Sequence, residues 1–169
     1  IQLRPKQWVK NLLVFTPLFL LNKFELTVFI NCLWAFVIFS YFASCIYIFN
    51  DLLDLNSDRG NNLKQFRPLA SGNVSLIFFI SALPIMLFFG LVFTYLFFAE
   101  LLPLIYAYIF ISLSYSMYFK KKVLVDIIIL SGLYTLRLLV GAKAALMTVS
   151  FWILAFSIFI FLALASIKR

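Results

Sequence analysis

The sequence contains no histidine and only two cysteines, Cys32 and Cys45. The chain therefore lacks the ligands for a zinc finger, the base of a His-based catalytic triad and the cysteines of a disulfide framework. Both cysteines lie in one apolar stretch, and in a helix rising about 1.5 Å per residue they would be roughly 20 Å apart. We expect them to remain unbridged and to serve as packing or lipid-facing residues.

Charged residues are also scarce, at 12%, whereas 65% of the chain is hydrophobic and 22 residues are phenylalanine. Soluble proteins are about half apolar and about a quarter charged, so a mean hydropathy of +1.09 excludes an ordinary soluble domain. The composition predicts an all-α integral membrane protein. The net charge of +8 comes from short basic clusters between apolar runs, which favours anionic membrane lipids over nucleic acid as the counter-charge.

Six apolar runs are long enough, or nearly so, to cross a bilayer core of about 30 Å, which takes about 20 residues per helix. They cover roughly residues 7–21, 27–49, 76–98, 101–119, 124–140 and 150–167. Most of the 14 basic residues lie on one side if the amino terminus is cytoplasmic, and the positive-inside rule favours that orientation. We expect one transmembrane domain over residues 1–169, and, because residue 1 is not methionine, part of a longer protein.

Three of the six acidic residues, Asp51, Asp54 and Asp58, lie within eight positions at the cytoplasmic end of the second run. Spacings of three and four place them on one helix face. Like charges so close together repel unless a cation neutralises them, and their hard oxygen ligands favour Mg²⁺. Mg²⁺ commonly bridges carboxylates to substrate phosphates, so the motif predicts a diphosphate site.

The motif has two other interpretations, a solvated helix end and a calcium-binding loop. The carboxylates could form a solvated helix end that pairs with Arg59, Lys64 and Arg67. An EF-hand calcium loop is excluded, because its sixth position would be Arg59 instead of glycine and its twelfth Gln65 instead of glutamate. The same three cations precede or occupy a loop marked by Pro68 and Gly72. They could converge on phosphate oxygens that the metal leaves uncovered.

The run Asn50-Asp51-x-x-Asp54-x-x-x-Asp58, followed by Arg67-Pro-Leu-Ala-Ser-Gly72, resembles the first aspartate motif of the UbiA prenyltransferase superfamily. Further stretches resemble its decaprenyl-phosphate phosphoribosyltransferase branch over the whole chain: Arg4-Pro-x-Gln-Trp-Val-Lys-Asn11, Tyr115-Ser-x-x-x-Lys120, Asp126, Tyr134-x-Leu-Arg137-x-x-x-Gly141 and Lys168-Arg169. The resemblance implies a nine-helix intramembrane enzyme, of which this chain carries six helices, with a second acidic motif beyond Arg169.

The resemblance implies transfer of a 5-phosphoribosyl group from phosphoribosyl diphosphate to a polyprenyl phosphate, with Mg²⁺ assisting the loss of diphosphate. Asp51, Asp54 and Asp58 would be metal ligands, with Asn50 orienting them or donating to a phosphate. The anionic nucleophile needs no strong base. Further substrate-binding candidates are Arg59, Lys64, Arg67, Lys120, Tyr115, Lys10, Asn11 and Arg137.

Several of these candidates have structural alternatives. Lys10 and Asn11 could anchor the first helix at the membrane surface. Asp126 could neutralise the nearby lysine cluster or act in the site. Arg137 lies about 16 Å into its span by helical rise, where a charge usually faces a cavity or a partner. It could line the substrate pocket or pair with Glu100.

Two other functions remain open from the sequence. A relative of the same superfamily could transfer a prenyl group from prenyl diphosphate to an aromatic or other acceptor through the same aspartates. A membrane transporter or structural subunit is the non-enzymatic alternative, although the broken spans in matching halves that are typical of transporters are not visible. We expect a bacterial plasma-membrane protein whose site faces the cytoplasm; the sequence indicates no oligomeric state.

Overall fold

The structure is a computed structural model that describes residues 5–20, 25–63, 65–72 and 74–167. Within these ranges the chain is helical and contains no strand, as predicted for a membrane protein whose backbone must satisfy its own hydrogen bonds. The α-helices are α1 (Thr16–Leu20), α2 (Leu26–Leu53), α3 (Leu55–Arg59), α4 (Leu76–Phe98), α5 (Leu102–Met117), α6 (Val123–Ala144) and α7 (Phe151–Ile167). Three 3₁₀ segments cover Pro5–Phe15, Ala99–Leu101 and Phe119–Lys121.

Three helical stretches are long and apolar enough to cross a membrane. They are Leu26–Leu53, Leu76–Met117, which contains α4, the 3₁₀ turn and α5, and Leu124–Ala144. Helix α7 is a shorter apolar helix. The expected all-helical membrane architecture is therefore confirmed.

The first apolar run differs from the α-helix predicted over residues 7–21. Pro5–Phe15 is a 3₁₀ helix, and only Thr16–Leu20 is α-helical. Pro17 has no N–H, so the carbonyl of Leu13 has no donor four residues further on. Because a 3₁₀ helix rises about 2.0 Å per residue against about 1.5 Å for an α-helix, the two segments together extend roughly 30 Å. This short run thus reaches the length of a bilayer core.

Helices α2 and α5 run in the same direction, and α6 runs opposite to both. Lys120, which follows α5, forms an ion pair with Asp54, which follows α2. At the other end, Glu100 before α5 pairs with Lys143 in the last turn of α6, with Nζ 3.5 Å from Oε2. The carboxyl ends of α2 and α5 and the start of α6 therefore share one end of the bundle, called here the aspartate end. The consecutive helices α5 and α6 are therefore antiparallel.

Helix α2 runs through the middle of the bundle and packs against α4, α5, α6 and the Pro5–Phe15 segment. Phe39 and Phe42 are fully buried in this core, together with Ile105 of α5 and Val140 of α6. In contrast, α4 and α7 present many exposed large apolar side chains, as expected for lipid-facing surfaces.

The two cysteines are buried packing residues on α2. Cys32 and Cys45 are both free thiols with no exposed surface. Cys32 packs with Leu18 and Ala145, and its Sγ lies 3.7 Å from the carbonyl oxygen of Gly141. The prediction that the cysteines do not bridge each other is confirmed.

Candidate functional site

The acidic motif straddles a helix junction. Helix α2 ends at Leu53, α3 begins at Leu55, and Asp54 between them has φ −89° and ψ 4°. Asp51 and Asp58 are buried, at 4% and 2% exposure, whereas the Asp54 side chain is 31% exposed. The expectation that one continuous helix face carries all three carboxylates is therefore corrected. At this junction the mutually repelling carboxylates are divided between different cations.

Arg67 is the shared partner of the two buried aspartates. Its Nη1 lies 2.5 Å from Asp58 Oδ2 and 3.2 Å from Asp51 Oδ1. The loop that carries it turns sharply, because the N–H of Ser71 donates to the Arg67 carbonyl and Gly72 adopts a φ of 76°. Buried Leu69 anchors this loop. This is the pairing of carboxylates with a nearby cation that the alternative interpretation expected, and convergence of Arg67 on phosphate oxygens stays a prediction.

The third aspartate has a different partner on α5. Asp54 Oδ2 accepts a hydrogen bond from Nζ of Lys120, which lies in the Phe119–Lys121 segment. One turn before that segment, the Tyr115 hydroxyl donates to Asp126 Oδ1 at 2.7 Å. Asp126 is buried at the start of α6. The hydrogen bond to Tyr115 fixes this carboxylate at the aspartate end, and both sequence alternatives for Asp126 remain compatible with that position.

A cavity of about 130 Å³ opens between α2, α5, α6 and the Pro5–Phe15 segment. Four predicted site residues line it: Lys10, Asn50, Tyr115 and Arg137. The remaining lining residues are Ile46, Tyr47, Tyr108, Ser112, Ser116, Leu130, Leu133 and Tyr134. The cavity is therefore polar and aromatic on several sides, although it lies within a strongly apolar bundle.

Arg137 is buried at 5% exposure in the wall of this cavity. Its guanidinium Cζ lies 5.1 Å from the ring centroid of Tyr134, 5.3 Å from that of Phe39 and 5.9 Å from that of Tyr108. The ion pair with Glu100 that we considered from the sequence is wrong, because Glu100 pairs with Lys143 at the opposite end of the bundle. Arg137 instead lines this cavity, and its role in a substrate pocket, the first alternative, stays a prediction.

Asn11 holds Arg137 from the first helical segment. Arg137 Nε donates to Asn11 Oδ1 at 3.0 Å, and Asn11 Nδ2 donates to Ser40 Oγ at 3.0 Å. Asn11 is only 1% exposed. Its amide is thus engaged by protein groups, unlike the direct phosphate contact expected from the sequence.

Comparison with known sequences decides the family. A sequence profile of the UbiA prenyltransferase family matches residues 12–168. The chain belongs to the UbiA prenyltransferase family. The resemblance to this family, inferred from the aspartate motif, is thereby confirmed.

Curated relatives of this UbiA-family chain match it along nearly its whole length. A decaprenyl-phosphate phosphoribosyltransferase of Corynebacterium glutamicum is 36% identical over 99% of the chain and 52% of the relative. The nodulation protein NoeC of Azorhizobium caulinodans is 35% identical over 98% of the chain and 54% of the relative. Protein y4nM of Sinorhizobium fredii is 33% identical over 99% of the chain and 33% of the relative. The chain thus spans between a third and about half of the length of these proteins.

Members of the UbiA family generally depend on a divalent metal, so we tested whether the residues present suit one. Asp51 and Asp58 converge on a single cationic atom of Arg67, and carboxylate oxygens are suitable ligands for a hard divalent ion. Among the described residues, no group of three or more acidic or sulfur ligands converges, and Asp54 is paired with Lys120. Asp51 and Asp58 would therefore suit a divalent ion in the position that Arg67 Nη1 takes, so Arg67 would have to move away, and Asp54 would have to leave its lysine.

Arg59 and Lys64 are the two other predicted phosphate ligands of this region. Arg59 is exposed at the end of α3, and no ion pair holds it within the described part of the chain. Lys64 lies outside the described residues. Their roles remain predictions.

Several cavity residues on α5 were not predicted from the sequence. Tyr108 and Ser112 line the cavity one turn apart, followed by Tyr115 and Ser116. A usable signal was present, because these polar residues recur every three or four positions within an otherwise apolar run and so define one helix face.

Proposed function

We propose that the protein transfers a 5-phosphoribosyl group from phosphoribosyl diphosphate to a polyprenyl phosphate. The observation that carries this proposal is the paired arrangement of Arg67 with Asp51 and Asp58, beside Lys120 with Asp54. Carboxylates and cations that neutralise each other can exchange partners when a diphosphate and a divalent ion bind together. The choice of phosphoribosyl transfer within the family follows the relatives named decaprenyl-phosphate phosphoribosyltransferase.

In this proposal Asp51, Asp54 and Asp58 would hold Mg²⁺, which would supply positive charge to offset the charge of the departing diphosphate. Asp51 and Asp58 supply buried oxygens, and Asp54 joins them when Lys120 turns toward the phosphates. Arg67 and Lys120 then donate hydrogen bonds to diphosphate oxygens, which strengthen as negative charge develops there. We expect Arg59 and Lys64 to add further contacts to the same group.

The reaction forms a bond between a phosphate oxygen of the acceptor and C1 of the ribose, while the bond from C1 to the diphosphate breaks. The electron pair of that bond leaves with the diphosphate. A phosphate monoester is already anionic near neutral pH, so the chain needs no general base to activate it. The absence of histidine from the sequence is compatible with this chemistry.

We further propose that residues 1–169 form part of a single UbiA-type transmembrane domain. In that arrangement the amino terminus and the aspartate end face the cytoplasm of a bacterial plasma membrane, and the chain contributes six of nine helices. Basic residues at the aspartate end, including Lys10, Arg67 and Lys120, support this orientation by the positive-inside rule.

Prenyl transfer from prenyl diphosphate to an aromatic acceptor is the competing function, because it would use the same diphosphate site. To separate the two, membranes containing the full-length protein are given either labelled phosphoribosyl diphosphate with polyprenyl phosphate or prenyl diphosphate with an aromatic acid. We expect labelled lipid product only from the first pair and only with Mg²⁺ present. Product from the second pair alone would contradict the proposal.

A variant pair tests whether the aspartates are required. Asp51→Ala combined with Asp54→Ala is expected to abolish product formation. Glu100→Gln removes an exposed carboxylate at the opposite end of the bundle and should leave product formation intact. Full activity of the double variant would instead favour a transport or structural role. Both proteins are compared at equal amounts in the membrane.

A further inference from the structure

The cavity beside the aspartate end has a buried positive charge in its wall. Arg137 is only 5% exposed, and no carboxylate of the described residues forms an ion pair with it. Burial of an unpaired charge in a membrane bundle is costly, and such residues normally face a cavity with a functional partner. The cavity adjoining Arg137 is therefore the place where a negative partner would bind.

The surroundings of Arg137 leave part of its guanidinium available to that partner. The rings of Phe39, Tyr108 and Tyr134 lie near it at cation-π distance and partly offset its charge. A guanidinium has five N–H donors. The described residues accept from only two nitrogens, Nε and Nη1, through Asn11 Oδ1 and the Leu133 carbonyl. The donors on Nη2 have no acceptor among the described residues.

Two further polar atoms of the cavity wall also lack hydrogen-bond partners among the described residues. Ser112 is 3% exposed, and its Oγ makes no hydrogen bond within the described chain, although the Tyr108 hydroxyl is close by. Asn50 Oδ1 is likewise buried without a donor. Buried polar atoms of this kind are rare in proteins, and a bound ligand is one explanation for them. Ser112 can donate to an anion, and Asn50 Oδ1 can accept from a hydroxyl.

We propose that this cavity is a second anion site that binds the phosphate monoester end of a substrate, distinct from the diphosphate site at Arg67 and Lys120. Arg137 and Ser112 would donate hydrogen bonds to the phosphate oxygens, with Lys10 adding charge. Asn50 Oδ1 would accept from a hydroxyl on the attached group. This inference rests on the proposed function, and it names what the inner cavity recognises.

Size and polarity favour a phosphate over a prenyl chain. The cavity holds about 130 Å³, below the roughly 300–1,000 Å³ of ordinary ligand pockets, so it suits one small group. A prenyl tail could neither neutralise Arg137 nor satisfy Ser112. Both proposed substrates carry a suitable phosphate monoester, namely the 5-phosphate of the donor and the phosphate of the acceptor lipid. Arg137 would therefore discriminate against substrates that are apolar at this position.

Binding assays on the full-length protein in detergent test the proposal without requiring turnover. The probes are ribose 5-phosphate for the donor phosphate, farnesyl phosphate for the acceptor phosphate and inorganic diphosphate for the diphosphate site at Arg67 and Lys120. The variants are Arg137→Met and Ser112→Ala. Lys143→Met is the matched control, because it also removes one positive charge but lies at the opposite end of the bundle.

For Arg137→Met we expect the affinity for at least one monophosphate probe to fall about 10- to 150-fold, as for loss of a hydrogen bond to a charged group. Ser112→Ala should lower the same affinity about 2- to 12-fold. Diphosphate binding should change less than about twofold, and Lys143→Met should leave all three affinities unchanged. The monophosphate probe whose affinity falls identifies whether the donor or the acceptor phosphate occupies the cavity.

Unchanged monophosphate affinity in folded Ser112→Ala and Arg137→Met proteins would overturn the proposal, and so would an equal loss of diphosphate affinity. If Arg137→Met does not fold, Ser112→Ala alone decides, since it removes one atom from a cavity wall. The proposed function fails separately. If the proposed function is wrong and this inference is right, monophosphates still bind and the variants lower their affinity, but no phosphoribosyl lipid is formed.

Discussion

Arg67 Nη1 lies 2.5 Å from Oδ2 of Asp58, at the point where the Asp51 carboxylate also converges. The arginine therefore occupies the position that a divalent cation bound by these two aspartates would take. Two cations cannot hold the same oxygens at once, so we expect Arg67 and a metal ion to compete in the absence of substrate. A diphosphate would relieve the competition by giving Arg67 a new anionic partner.

We predict that Arg67→Gln has opposite effects on metal and substrate. Mn²⁺ binding without substrate, measured by electron paramagnetic resonance, should strengthen about tenfold, equivalent to roughly 1.4 kcal/mol. Affinity for inorganic diphosphate should fall, because a charge-assisted donor is lost. Lys143→Gln provides a control with the same loss of charge and should affect neither. Weaker Mn²⁺ binding in Arg67→Gln would show that the arginine supports the metal site instead of competing for it.

The two ion-paired environments of the motif predict different effects on stability. Breaking a buried pair costs about 3–5 kcal/mol, and the 28% exposure of Arg67 reduces the expected loss for Asp58→Asn to roughly 2–3 kcal/mol. Asp54→Asn should cost less than about 1 kcal/mol, because both partners of that pair are substantially exposed. Free energies of unfolding in mixed detergent micelles measure both. Equal losses would contradict the division of the motif between two environments.

The helices were largely predictable from the sequence because a chain in lipid must satisfy its backbone within each apolar run. The run predicted at residues 76–98 coincides with α4. The form of the first run was not predictable from hydropathy. Apolar content does not distinguish a 3₁₀ helix from an α-helix, and it does not report the packing of this segment against α6.

The site was predictable where partners are near in sequence and not where they depend on packing. Arg67 follows the acidic motif closely, so its pairing with Asp51 and Asp58 could be anticipated. The pairing of Asp54 with Lys120 joins residues 66 positions apart and requires α5 to lie beside α2. The helical periodicity also assumed an unbroken helix through Asp54, whereas the structure divides it there.

Leu146 closes α6 in an unfavourable backbone conformation. It has φ 53°, its N–H donates to the Lys143 carbonyl at 3.0 Å, and the N–H of Met147 donates to the Ala142 carbonyl at 2.9 Å. A left-handed residue other than glycine costs about 1–2 kcal/mol. Leu146→Gly should therefore raise the free energy of unfolding by about 1 kcal/mol.

Two controls separate this backbone effect from the loss of a side chain. Leu146→Ala keeps a Cβ atom and should not stabilise the protein. Leu164→Gly, at an exposed position inside α7, should destabilise it by roughly 1 kcal/mol. Stabilisation by Leu146→Ala as large as that by Leu146→Gly would contradict the assignment to backbone strain.

Gly141 brings α6 into direct contact with the backbone of the first helical segment. A Cβ atom at this position would lie 1.8 Å from the carbonyl oxygen of Val14, and backbone cannot yield as a flexible side chain can. Gly141→Ala should therefore separate the two elements and lower the free energy of unfolding by about 3 kcal/mol or more. Because Arg137 and Asn11 are joined across the same contact, monophosphate affinity should also fall.

Gly132→Ala is the matched control on α6, where no described heavy atom lies within 4 Å of the added carbon, and it should be neutral or stabilising by up to about 1 kcal/mol. Similar losses for the two variants would indicate that helix α6 is sensitive to any added methyl, and the close contact at Val14 would then not be the cause.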